Sequence, residues 1–329
     1  MPQDVVVVFI HGINTTSQDY YVPLRDSILR ELPSQIRGNV VFRAVFWADI
    51  VRGRQQEYLN YAKLSAGFKA NKFHKMVIEG LGDAAAYQKT EKRTNSAYYE
   101  IQARIRKTIR DAALPDYDTR PVVFIAHSLG CHIISSYAWD LHKFKDPHAA
   151  LSPNLDEGTA RFINSLESKT AFERLDTFAG FVTMGCNMPL FTFTFGPQYV
   201  YPMTRAHRPD AQPAFPGPSL DPDTLAHVRW RNYYSANDPL GYPLKPLNDA
   251  YEAEPLLSDH KIVSEGWWRA LLFRKYAMME AHQGYWTNPL VAKGAADLLN
   301  NLVCASHPQP LNQEKPILFP PQPTHATTS

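Results

Sequence analysis

The chain has 329 residues, of which 44% are hydrophobic and 20% charged, with 34 basic side chains against 32 acidic ones. This composition excludes disordered, collagenous and disulfide-dense proteins, and a formal net charge of +2 gives no case for a nucleic-acid partner or an anionic membrane surface. Cys131, Cys186 and Cys304 are too few and too scattered for a zinc site or a disulfide framework and fit a reducing compartment. No apolar run reaches transmembrane length. The start, Met1 to Ile10, lacks the basic region and small-residue cleavage site of a signal peptide, so a cytoplasmic location is expected.

Val5 to Ile10 is a continuous, mostly β-branched run, as strands covered on both faces of a parallel sheet are. A helix is predicted over 20–32, with Pro23 in its first turn and Leu24, Ile28 and Leu32 on one face. Asn39 to Trp47 reads as a second strand. Residues 96–113 read as a helix carrying Ile101, Ile105 and Ile109 on one stripe. Pro121 to Ala126 is a third strand, followed by a helix to about Asp140. Phe178 to Met184 and Val228 to Tyr234 are two more strands. Asn288-Pro289 opens a last helix with Val291, Ala295, Leu298 and Leu302 on one face.

Strands alternating with helices predict an α/β domain over 1–304, its mainly parallel sheet flanked by helices. Three stretches exceed the alternation, at about 49–95, 142–176 and 187–227, the last broken by eight prolines. Ligands of open α/β sheets bind beyond the carboxyl ends of the strands. Inserts leaving those ends are therefore candidate cap or lid pieces. Residues 305–329, with six prolines, are expected to form a poorly ordered tail.

The sharpest chemical signal is Ala126-His127-Ser128-Leu129-Gly130, where a buried strand turns into a helix. A serine at such a turn projects its hydroxyl above the sheet, and the crowded backbone requires small flanking residues, here Ala126 and Gly130. The helix start adds N–H groups and positive dipole potential beneath a developing oxyanion. A second signal is Phe9-Ile10-His11-Gly12-Ile13-Asn14 at the end of the first strand. Glycine there lets the loop turn back over the strand ends, so that the N–H groups of Ile13 and Leu129 can form an oxyanion hole. A serine that merely caps a helix and a glycine that merely ends a strand are the structural alternatives.

Together with Tyr234-Ser235-Ala236-Asn237-Asp238-Pro239 and Ala281-His282-Gln283-Gly284-Tyr285-Trp286, these segments make the chain resemble an α/β-hydrolase of the lipase/esterase type over residues 4 to about 303. They stand in that family's order of oxyanion loop, serine, acid and histidine. The sequence departs from the family in having Ala126 where glycine is usual, and no hairpin before the first strand. The resemblance implies an α/β-hydrolase fold with a shortened sheet and a Ser-His-Asp triad. By chain order the acid is Asp238, ahead of Asp210, Asp221, Asp223, Asp249 and Asp259, and the base is His282, with His260 its main competitor among 12 histidines.

The expected chemistry is acyl transfer. Ser128 attacks a carbonyl, His282 relays the proton, Asp238 orients the imidazole and water completes the cycle. No metal or organic cofactor is required, and no motif for a metalloprotease, an NTPase or a dinucleotide is present. Aromatic residues in the inserts, among them Phe191, Phe193, Phe195, Tyr199, Tyr201 and Phe215, and Tyr58, Tyr61, Phe68 and Phe73, suggest an apolar wall for a hydrophobic or lipid-like ester. They could equally fill a small core. Phe191 to Phe195 alternates like a short strand, and Gly80 to Tyr87 reads as a helix start capped by Asp83. The competing function is a non-catalytic protein of the same fold that binds a ligand or partner.

Overall fold

Every residue of β1 (Val5–Ile10) is buried, as its unbroken apolar run demands. The computed structural model describes residues 4–89, 96–112, 119–145, 160–161, 170–193, 195–206, 212–263 and 281–305. In it β1 is the second strand of a six-stranded sheet in the order β2-β1-β3-β4-β5-β6. The others are β2 (Val40–Val45), β3 (Val122–His127), β4 (Phe178–Met184), β5 (Arg229–Tyr234) and β6 (Leu257–Lys261). All neighbouring pairs are parallel. The architecture is α/β.

Helix α1 (Val22–Glu31) starts with proline in its first turn and buries Leu24 and Ile28. Helix α4 (Ala97–Ala112) buries Ile101, Ile105 and Ile109, and α5 (Leu129–Lys145) follows β3 directly. The last helix, α6 (Pro289–Cys304), is capped by Asn288, whose side chain accepts a hydrogen bond from the Leu290 N–H. It packs against α1 and across β1, β4 and β5. Removing one of its fully buried leucines, such as Leu298, would cost about 2–5 kcal/mol.

The order places β2 on one side of β1 and β3 on the other. Successive connections therefore leave in opposite directions, and a crevice opens between the carboxyl ends of β1 and β3. Ile10 and Ala126 are paired there, so Gly12 and Ser128, each two residues further on, meet at that crevice.

Three local outcomes differ from the pattern-based expectation. The 49–95 stretch contains two helices, α2 (Ala48–Ala66) and α3 (Lys72–Ala86). Asn71 caps α3, so Gly80 to Ala86 is its last part and Asp83 caps nothing. Phe191 and Thr192 are not in a strand: Met188–Thr192 is a helical turn with Pro189 at its start. Strand β6 was not expected, because Leu-Ser-Asp-His-Lys has neither an apolar run nor clean alternation; it is an edge strand with one buried residue. Parts of the 142–176 stretch, Asp210 and nearly all of the 305–329 tail lie outside the described residues, as does the Phe73 side chain.

The 187–227 stretch divides. It leaves the carboxyl end of β4 beside Ser128, and Phe191 stacks on His132 of α5 at 4.0 Å. Its later part runs to the opposite end of β4, where the Gly217 N–H bonds the Phe178 carbonyl and Phe215 is buried against the Phe178 ring. Phe215 is therefore a core residue and not part of an acyl wall.

Candidate active site

Ser128 occupies the single-residue turn between β3 and α5 with φ +54°, a left-handed conformation that side chains adopt at a cost. Its N–H is bonded to the Met184 carbonyl at the end of β4. The neighbouring glycines are required by close approach. A Cβ on Gly12 would stand 2.3 Å from the Ser128 Cβ and 2.9 Å from its Oγ, and one on Gly130 would stand 2.7 Å from the His11 carbonyl oxygen. Leu129 is the first residue of α5, so its N–H has no acceptor within the helix.

His282 and Asp238 are buried and joined. The His282 Nδ1 lies 2.9 Å from both carboxylate oxygens of Asp238. That carboxylate also accepts from the Leu240 N–H at 2.9 Å and the Tyr285 hydroxyl at 2.9 Å. Burial alone would raise the Asp238 pKa, but the His282 contact and the other donors outweigh it and hold the carboxyl below its usual range. Tyr285 itself accepts from the Ser235 N–H, and burial beside Asp238 pushes its own pKa up, so it stays a donor.

His127, next to the serine, ties the histidine loop down. Its Nε2 lies 2.6 Å from the His282 carbonyl oxygen, and the two rings are 4.6 Å apart. A carbonyl can only accept, so His127 carries its proton on Nε2. His11 is fixed on the other side. Its Nδ1 donates to the Gly12 carbonyl and its Nε2 accepts from the Trp47 N–H. Burial lowers both histidines to about 3, so both are neutral.

Thus Ser128, Asp238 and His282 converge with Gly12 and Leu129 at the crevice, while among the described residues the Ser128 Oγ and the His282 Nε2 have no hydrogen-bond partner, including each other. Ile13 packs partly buried against the core. Phe193 and Phe195 are exposed, and Phe191 is half-buried. The rival His260 lies on edge strand β6, bonded to Ser258 and stacked on Tyr233, three strands from Ser128.

Asp259 is also a strand residue with a holding role. It accepts from Asn232 Nδ2 and from the N–H groups of Leu244 and Lys245, pinning the chain that follows Asp238. Pattern reasoning missed Tyr285 and His127 as supports. Tyr285 had a signal, an aromatic hydroxyl three residues after the histidine, but its direction came only from packing. Among the described residues no group of three or more His, Cys, Asp or Glu side chains could hold a metal ion, and no helix is long and apolar enough to cross a membrane. The chain matches no protein-family model and no curated protein.

Proposed function

We propose that the protein is a serine hydrolase of the α/β-hydrolase type that cleaves a carboxylic ester, with a hydrophobic or lipid-like acyl group, through an acyl-enzyme. The observation that carries this reading is the buried His282 ring, its Nδ1 held by both oxygens of Asp238, on a loop tied to His127, the residue before a serine in a left-handed turn. Ser128 Oγ attacks the acyl carbonyl while His282 Nε2 takes its proton. Asp238 stabilises the imidazolium, and the N–H groups of Leu129 and Ile13 receive the oxyanion. His282 then protonates the departing alcohol, and a water deprotonated by His282 releases the acid. Exposed Phe193 and Phe195, on the segment that leaves β4 beside Ser128, support an apolar acyl group.

One observation favours the non-catalytic alternative: Ser128 Oγ and His282 Nε2 are not hydrogen-bonded. Such contacts often tighten only when substrate binds. Labelling by a fluorophosphonate probe separates the two readings. The wild type should be labelled and Ser128→Ala should not; an unlabelled wild type refutes the hydrolase reading. A series of p-nitrophenyl esters then reads acyl length. The double variant Phe193→Ala/Phe195→Ala should lose more rate on long esters than on acetate.

A further inference from the structure

The helical hairpin of α2 and α3 grips the loop that carries the Ile13 N–H. Asn14, the next residue, is left-handed at φ +59°. Its N–H lies 3.4 Å from Asp83 Oδ2 on α3. The other oxygen, Asp83 Oδ1, accepts from Gln55 Nε2 of α2 at 2.9 Å, and that amide also bonds the Ile78 carbonyl of α3 at 3.1 Å. Arg52 of α2 bonds the Thr15 carbonyl, and the Thr15 hydroxyl bonds the Gly12 carbonyl. Backbone from Gly12 to Thr15 is therefore held from outside the sheet by one carboxylate and one guanidinium, and the Gln55 amide holds the carboxylate in turn. Asp83 is buried, where a carboxylate is costly unless hydrogen bonds offset its lost hydration, as those from Gln55 and Asn14 do.

We propose that Asp83 is a positioning residue for the oxyanion hole, holding the Asn14 peptide so that the adjacent Ile13 N–H points at the reacting carbonyl oxygen. The inference rests on the proposed hydrolase chemistry. An ionised Asp83 accepts strongly on both oxygens; protonation removes the charge and leaves the hydroxyl oxygen a weaker acceptor, and the clamp loosens. Burial pushes this carboxyl up to about 6, against the bonds from Gln55 and Asn14 and the nearby Arg52, with Glu79 adding to the rise. The clamp is thus set near neutral pH and released in mild acid.

Steady-state kinetics on a soluble ester, with the full chain, test this. Asp83→Ala should lower kcat about tenfold to a hundredfold with KM changed little, since a misaimed oxyanion donor acts on the transition state and not on binding. Asp83→Asn, which keeps one acceptor, should recover part of that loss. The pH profile gives a readout that a merely structural role would not move. The acid limb of kcat should fall more steeply in the wild type than in Asp83→Asn, because only the wild type has a carboxylate at position 83 to protonate. If Asp83→Ala does not fold, the Asp83→Asn profile decides alone. Unchanged kcat in both variants, or an acid limb of equal steepness in wild type and Asp83→Asn, overturns the proposal. Inactivity of the wild type, or full activity of Ser128→Ala, would instead overturn the hydrolase reading itself.

Discussion

Replacing Ser128 by glycine should stabilise the fold while ending the proposed chemistry. At φ +54° a residue with a Cβ is held at a cost of about 1–2 kcal/mol that glycine does not bear. Against that, glycine enlarges the unfolded ensemble by about 0.5–1 kcal/mol. The Ser128 hydroxyl is also buried without a protein partner, and deleting such a group recovers about 1 kcal/mol or more of desolvation. Ser128→Ala removes the hydroxyl and keeps the backbone strain, so it should gain about 1 kcal/mol over the wild type. Ser128→Gly removes both and should exceed the alanine variant by up to about 1.5 kcal/mol. Urea unfolding monitored by tryptophan fluorescence measures the three free energies. Heat is a poorer assay, because in a chain this long 1 kcal/mol moves Tm by only about 1–2 °C. A glycine variant less stable than the alanine variant would show that the turn is not strained through the Cβ.

Asp238→Asn should cost about a thousandfold or more in ester turnover, measured as kcat/KM, by disturbing the imidazole tautomer. Asp259→Asn should do the reverse, destabilising the fold by about 2–3 kcal/mol in urea through its lost charge-assisted bonds while folded protein still labels with fluorophosphonate. Gly12→Ala should lose activity and about 1–3 kcal/mol, because its Cβ would stand 2.3 Å from that of Ser128. Stability should also fall with acid. His11 and His127 titrate near 3 when folded against 6.5 in the unfolded chain, so between those values the unfolded state binds more protons. Their contribution is complete above pH 6.5 and lost toward pH 3, at about 1.4 kcal/mol per pH unit for each histidine. His127→Gln should flatten that slope by one proton in urea titrations run below neutral pH; an unchanged slope would mean that His127 is not held neutral.

Much of this fold is local in origin. Val5 to Ile10 reads as a strand covered on both faces, and Ile101, Ile105 and Ile109 fall on one side of a helix, because periodicity and burial act over a few residues. The small residues beside Ser128 and the glycine at position 12 were likewise legible, since a tight turn has no other solution. Where a polar side chain ends up is another matter. Asp83 resembled a helix cap and is a clamp on a loop 69 residues away. Asp259 resembled a loop residue and sits in an edge strand pinning the chain after Asp238. Tyr285 became a support of Asp238 only because the fold brings its hydroxyl to that carboxylate. Apolar pattern is a property of neighbours in the chain, whereas a hydrogen bond between distant residues depends on a meeting that only the packed sheet and its helices bring about.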